Sequence, residues 1–529
     1  MLFTSYSFIA FLALLFTVYY LVPRRFQWML LLFASYLFYF IAGPTYVIYI
    51  FVTTLSTYLV SVKLESLNKA QSAYLAEHKD MSREEKKEYK ASVKSKQRKW
   101  LAACLLFNFG ILAVVKYTNF AIANINAVIG AFGGGTQLSF LKLALPLGIS
   151  FYTFQTMGYI IDVYRGKHPA ERNFFKLALF VSFFPQLIQG PISRFSDLAQ
   201  TLYKEHSFDS RNISFGIQRI LWGYFKKVVL ADRILVAVNT LIKNPDTYQG
   251  AYVLIGMLFY AYQLYADFTG GIDITIGIAQ VLGIEVKENF HRPYFSKNIV
   301  EYWRRWHITM GTWFRDYLFY PLSVSKPMLN ISKHSRRLFG EALGKRIPVY
   351  LSTFIVWFAT GIWHGASWNF IVWGLMNCVV ILISQELKPF YDWFHSRFNV
   401  AGKLYFKVFQ IVRTVLLMSS IRMFDCYRDV PMTFRMFGTI FTRFSFKPFF
   451  DGSLLKLGLD LSDYIVLLAG LIVLTIVSVS QARGSVRRQL EKKPVLVRYA
   501  AYYALILSIL VLGAYGVGYD SSQFIYNQF

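Results

Sequence analysis

Cysteine is nearly absent: the 529-residue chain carries three, Cys104, Cys378 and Cys426, each isolated. With no CxxC spacing, a disulfide framework and a structural zinc site are excluded as organising devices, and no metal is expected. Acidic residues are scarce too, 29 against 56 lysines and arginines, which leaves a net charge of +27. Walker A, HExxH and GxSxG motifs are missing, and Ser323-Val-Ser-Lys326 matches SxxK only as a short loop without its companion motifs. There is no internal repeat and no low-complexity tract. Nor is there a polar stretch long enough for a large soluble domain.

What the chain has instead is apolar length. Hydrophobic residues make up 55 % and aromatics 18 %, above the roughly 45–50 % apolar content of soluble domains. Runs near the ~20 residues that cross a bilayer recur from end to end. They fall at 4–22, 27–43, 45–62, 101–116, 119–132, 138–162, 174–192, 215–240, 250–284, 347–363, 367–386, 403–421, 463–481 and 497–518. The expected class is an all-α, polytopic membrane protein with eleven or more spans. Leu2–Leu21 has no basic flank before it and no small-residue cleavage site, so it reads as a retained span and not a leader. Lys and Arg cluster between the runs, as cytoplasmic loops facing anionic lipid do, so the charge implies membrane lipid as a partner and no nucleic acid. Residues 63–99, dense in Lys, Arg and Glu, read as a charged cytoplasmic hairpin. Pro146 with Gly148, and Pro185 with Gly190 and Pro191, break two of the runs. Such breaks are tolerated at membrane depth where protein or a cavity covers the backbone, so re-entrant helices around an internal cavity are expected.

Ionisable groups inside apolar runs are costly, which makes each a candidate for function. His364 lies in Trp363-His-Gly-Ala-Ser-Trp-Asn-Phe370, at a junction between two runs, with no acid nearby in sequence. On a helix, Thr360 would sit one turn earlier on the same face and hold one imidazole nitrogen, leaving the other as a base. Gly361 and Gly365 form a small-xxx-small pair that permits close approach. His307 lies in Tyr302-Trp-Arg-Arg-Trp-His-Ile-Thr309, followed by Trp313-Phe-Arg-Asp-Tyr317. Arg304, Arg305 and Arg315 in this stretch are candidates for the phosphates of a nucleotide-bearing donor, or plain interface anchors. Gln263, Asp267 and Asp273 interrupt a third apolar run, and helix-pairing charges explain them as well as catalysis does. With Trp303, Thr360 and Asn369, Gln263 and Asp267 would line a polar tunnel. Moving an acyl group from a thioester to an alcohol needs a base near neutral pKa in a water-poor site, and a buried imidazole is suited to that.

At these blocks, and at Phe183-Phe-Pro-Gln-Leu-Ile-Gln-Gly-Pro-Ile192 and Gln263-Leu-Tyr-Ala-Asp-Phe-Thr269, the chain resembles the membrane-bound O-acyltransferase superfamily over roughly residues 1–425. The similar branch is the bacterial one that acetylates alginate or peptidoglycan or transfers D-alanine to teichoic acid. The resemblance implies a ring of helices with re-entrant helices around a central tunnel. It also implies His364 as catalytic histidine and His307 as the second active-site histidine. The donor would be a cytoplasmic thioester, acetyl-CoA or an acyl-carrier thioester, with no tightly bound cofactor. An extracytoplasmic SGNH-type, esterase-like partner would finish the transfer. Pro321-Leu-Ser-Val-Ser-Lys326 and Arg422-Met-Phe-Asp-Cys-Tyr427 depart from the family pattern, which bears on loop detail and partner docking.

The organisation expected is N-terminal spans over 1–62, the charged hairpin over 63–99, a catalytic core over 100–425 and a C-terminal transmembrane extension over 426–529. The function expected is O-acetyl transfer across a cytoplasmic membrane to an alginate-like exopolysaccharide or peptidoglycan. The rivals are D-alanyl transfer to teichoic acid, against which chain length argues, and a transporter without chemistry, which gives no reason for the Trp-His-Gly-Ala-Ser-Trp-Asn block.

Overall fold

A computed structural model of the protein describes residues 3–135, 137–400, 402–515 and 519. Among the described residues the regular structure is helical, with no strand beyond one isolated bridge between Phe290 and Trp306. Among the described residues, eight helices are long and apolar enough to cross a membrane. That is fewer than the apolar runs suggested, because several runs are split or continue one another. The chain divides into two compact units, residues 1–213 with 279–287, and residues 214–278 with 288–529.

The first unit contains α1 (Tyr6–Leu21), α2 (Gln27–Ala42), α3 (Tyr46–Glu77), α4 (Arg83–Ala131), α5 (Ile149–Tyr164), α6 (Phe174–Ser182), α7 (Phe184–Gln189) and α8 (Phe195–Leu202). The charged hairpin is the projecting ends of α3 and α4, and its turn closes on a capping box. Ser82 Oγ accepts from the Glu85 N–H at 3.2 Å, and the Glu85 carboxylate accepts from the Ser82 N–H at 2.7 Å. The expected break between 116 and 119 does not occur: α4 runs on through it, and the Thr118 hydroxyl donates to the Val114 carbonyl at 2.6 Å. Residues 138–148 are not helical, although they open an apolar run. Two asparagines two turns apart on α4 claim their backbone: Asn119 pairs with Leu141 and Asn126 with Leu138, each amide both donating and accepting at 2.8–2.9 Å. The chain re-enters helix at Gly148, whose φ of +68° favours glycine and whose missing Cβ would lie 2.5 Å from the Leu187 carbonyl oxygen. The two proline-broken segments therefore pack on each other.

The second unit holds most of α9 (Ser210–Tyr224), a π-helical turn (Phe225–Ala231), α10 (Asp232–Lys243) and α11 (Ala251–Val281). Two short helices follow, α12 (Ile299–Arg305) and α13 (Ile308–Phe314), then α14 (Tyr320–Ser323) and α15 (Lys326–Gly344). The remainder is α16 (Ile347–His364), α17 (Trp368–Glu386), α18 (Lys388–Arg397), α19 (Leu404–Tyr427), α20 (Val430–Thr442), α21 (Leu461–Ser480), α22 (Val486–Glu491) and α23 (Val495–Leu512).

Two consecutive lysines in the π turn, a geometry that widens the helix, reach separate carboxylates on α11. Lys226 Nζ donates to Thr269 Oγ1 at 2.8 Å and to Asp273 at 2.5 Å. Lys227 Nζ lies 2.7 Å from both Asp232 and Asp267, and the side chains of all three are at most 1 % exposed. Asp267 is thus a helix-pairing charge. It ties α11 to the π turn through Lys227.

Candidate active site

His364 is placed by a helical hairpin. α16 and α17 cross where Gly361 faces Gly374. A Cβ on Gly361 would lie 2.6 Å from the Phe370 carbonyl oxygen, and one on Gly374 would lie 2.5 Å from that of Trp357. Only two glycines let the backbones approach so closely. Gly365 is not part of this seam. It ends α16 in extended backbone, and a Cβ there would strike the Phe370 ring. His364 therefore occupies the last turn of α16, 8 % exposed. Its ring centroid is 4.6 Å from Trp373, 5.1 Å from Trp363 and 6.4 Å from Phe370. Thr360 does not hold the imidazole as expected: its hydroxyl donates to the Val356 carbonyl at 2.7 Å, the usual recourse of a threonine inside a helix.

His307 sits in the corner between α12 and α13 with φ 48° and ψ 52°, a left-handed conformation that costs a non-glycine residue about 1 kcal/mol or more. The corner is fixed by residues 289–291. Ile308 N–H donates to the Asn289 carbonyl at 2.9 Å, and Thr309 donates from both N–H and hydroxyl to the Asn289 side chain at 3.1 and 2.9 Å. Phe290 bridges Trp306, and His291 N–H reaches the Arg305 carbonyl at 2.9 Å. The His307 ring, 1 % exposed, lies edge-on to Phe268 at 5.1 Å and to Trp363 at 5.8 Å. Trp363 consequently touches both imidazoles, and the two histidines, distant in sequence, meet at one indole.

His307 lies outside the eight long apolar helices. Burial, and then the positive charge of Arg422, lower its pKa to about 3, so it is a neutral imidazole at working pH. An unfolded imidazole titrates near about 6.5. The unfolded state therefore binds the extra proton below that value, and stability present above pH ~6.5 is lost as pH falls. The thermal midpoint should drop between pH 7 and 5 in the wild type and drop less in His307→Gln, measured by a tryptophan-fluorescence melt. Equal drops would show that His307 is not held neutral.

The sequence reading missed Arg422. It is 5 % exposed in the last full turns of α19 and pairs with Asp425, Nη1 to Oδ2 at 2.9 Å. Its guanidinium lies 5.1 Å from Trp306, 5.6 Å from Trp303 and 4.8 Å from Trp373, inside cation–π range of three indoles. Trp306 precedes His307, and Trp373 touches His364, so the arginine cage braces both histidine walls. Trp303 further donates to Asn377 Oδ1 at 3.2 Å, and Asn369 Nδ2 donates to the Phe424 carbonyl at 3.3 Å, locking α12 to α17 and α17 to α19. Gln263 is buried on α11 one turn before Asp267. Arg422→Lys keeps the charge and loses the planar stacking, worth about 2 kcal/mol for a desolvated cation. The expected result is a ten- to thirtyfold lower transfer rate with Asp425 still paired, read as ester formed per mole of purified protein.

The three candidate donor-binding arginines separate. Arg305 is turned to Glu301 at 2.6 Å, and Arg315 to Asp316 at 2.8 Å. Arg304 lines a cavity of about 880 Å³ together with Lys297, Lys388 and Arg413, and with Phe390 and Phe394 from α18.

Comparison with known proteins shows the family. The profile of the membrane-bound O-acyltransferase family, MBOAT, matches residues 162–424. A probable alginate O-acetylase AlgI from Azotobacter vinelandii is 34 % identical over 73 % of this chain and 69 % of its own length. The chain belongs to the membrane-bound O-acyltransferase family. It is a multi-pass membrane acyltransferase. A peptidoglycan O-acetyltransferase from Helicobacter pylori is 32 % identical over 56 % of this chain and 58 % of its own length. A teichoic acid D-alanyltransferase from Bacillus subtilis is 29 % identical over 47 % and 62 %. The matched segment of this acyltransferase contains both histidines and Arg422.

Proposed function

We propose that this acyltransferase moves an acetyl group from a cytoplasmic thioester, acetyl-CoA or an acyl-carrier thioester, to hydroxyls of an extracytoplasmic polysaccharide. The observation that carries the reading is the meeting of His307 and His364 at Trp363 inside a buried tryptophan cage. His364 takes the proton of the acceptor hydroxyl while its oxygen attacks the thioester carbonyl. The C–S bond then breaks, and the departing thiolate receives the proton from the imidazolium. His307, neutral, orients donor or acceptor by hydrogen bonding. Exclusion of water by the aromatic walls keeps hydrolysis from competing. The cationic cavity at Arg304 suits the donor's phosphates, with Phe390 and Phe394 to receive a base. α17 links it to the histidines, from Trp373 to Ser384, about 16 Å at 1.5 Å per residue. A polysaccharide acceptor is supported by the names of the acetylating relatives, and an inner-membrane location and an esterase-like partner outside are parts of the same proposal.

Mass spectrometry of alkali-labile esters on surface glycans, comparing wild type with deletion cells, tests it. Loss of acetate from one polymer supports the reading. Loss of D-alanine would replace acetyl with D-alanyl transfer, and an unchanged profile would point to transport without chemistry.

A further inference from the structure

A second cavity in the same unit, about 470 Å³, is bordered by α11, α19, α21 and the 292–295 segment, and neither histidine lines it. Its walls are almost wholly apolar, and Leu258, Leu468 and Leu471 on its rim are 45 %, 59 % and 45 % exposed. In a multi-pass membrane protein such leucines face lipid chains. α11 and α21 meet in matching register, the Phe259 ring tilted against Tyr464 at 6.2 Å and the Tyr262 hydroxyl donating to the Leu467 carbonyl at 3.1 Å. The groove follows α21 from Tyr464 to Ser478, about 21 Å at 1.5 Å per residue, roughly two-thirds of a ~30 Å hydrocarbon core.

One cation interrupts this lining. Arg292 borders the groove, in reach of Tyr265, which the register places in the half ending at Ser478. Among the described residues Arg292 makes no ion pair, and its buried Nε has no hydrogen-bond partner. Its backbone is held left-handed at φ 51°, in the segment whose start, Asn289–His291, fixes the His307 corner. Burial, and then the nearby Arg305 charge, lower the Arg292 pKa, as expected of a cation whose counter-charge lies elsewhere. Just beyond Ser478 come Arg483, Arg487, Arg488, Lys492 and Lys493, the sign of a cytoplasmic end, where anionic lipid is concentrated.

We infer that this groove is a binding site for one anionic glycerophospholipid of the cytoplasmic leaflet, its acyl chain along α21 and its phosphate on Arg292. A chain lying on leucines and a phosphate pairing with a fork-shaped guanidinium match the two halves of the groove. The inference does not depend on the acyl-transfer reading.

The test is native mass spectrometry of the purified full-length protein in mixed phosphatidylglycerol and phosphatidylcholine. Wild type should keep one phosphatidylglycerol under activation that strips phosphatidylcholine. Arg292→Gln should lose that preference at least tenfold, Arg292→Lys should keep most of it, and Leu471→Trp should lose retention of both lipids. Equal retention of the two lipids by wild type, or an unchanged ratio in Arg292→Gln, would overturn the site. Preferential capture of a long polyprenyl phosphate over phosphatidylglycerol would overturn the choice of lipid. If Arg292→Gln is not recovered folded, the wild-type thermal midpoint decides. A saturable rise with phosphatidylglycerol but not phosphatidylcholine supports the site, and a flat response rejects it.

Discussion

His364→Ala is expected to lower ester formation by a factor of about 10²–10⁴, the range supplied by a positioned general base, while leaving the protein folded. The substitution removes a ring from a wall still made by Trp363, Phe370 and Trp373, and the Gly361–Gly374 seam that positions the turn is untouched. Activity and thermal melting should therefore part company. Ester on the acceptor and thioester consumed should be measured together on purified protein of matched melting temperature. If both fall together, the histidine acts in the transfer itself. If thioester consumption persists while ester disappears, the donor is being hydrolysed and His364 serves the acceptor. Full transfer by His364→Ala would remove it from the reaction and leave His307 to be tested in its place.

The largest effect on folding is expected from Lys227→Met. The lysine is shared by Asp232 and Asp267 at 2.7 Å each, in a site with essentially no solvent. Removing it leaves two carboxylates buried beside each other, and breaking such a cluster costs about 3–5 kcal/mol. That is a large fraction of a typical stability. The variant should fail to accumulate in membranes, or should melt far below wild type. The triple variant Lys227→Met, Asp232→Asn, Asp267→Asn should recover much of the loss, because the penalty lies in the unpaired charges and not in missing lysine packing. Equal damage in the single and triple variants would show that the packing around the π turn dominates.

The all-helical architecture was legible because apolar runs of membrane length leave little else to propose. His364 was legible as a candidate because a titratable group at the junction of two such runs is costly and stands out, and His307 because it sits in a Trp- and Arg-rich block that carries the family resemblance. Helix continuity was harder to read. Residues 116–119 continue α4 because a long helix tolerates Lys116 and Thr118 within it, and whether 138–148 is helical depends on Asn119 and Asn126 claiming its backbone. The second is decided by side-chain hydrogen bonds that hydropathy does not register. Arg422 was hidden for a different reason. In sequence it is a deviation near the end of an apolar helix, and only the convergence of α12, α17 and α19 surrounds it with indoles. Thr360 was misassigned because helical spacing gives the face a side chain shares but not the partner its hydroxyl prefers.

The lysines of the π turn also constrain how the protein is made. Lys226 finds its carboxylate, and Lys227 the second of its two after the nearby Asp232, on a helix that the ribosome delivers tens of residues later, at Asp273 and Asp267. A lysine such as Lys226, presented without its carboxylate at the centre of a helix during membrane insertion, costs roughly 2.5–3.5 kcal/mol. The segment from α9 through the π turn should therefore wait at the insertion machinery until α11 emerges, and the two should enter the bilayer as one neutralised hairpin. In a nascent chain stopped before Asp267, a cysteine placed in the π turn should stay open to a water-soluble thiol reagent, and in one extended past Asp273 it should be protected.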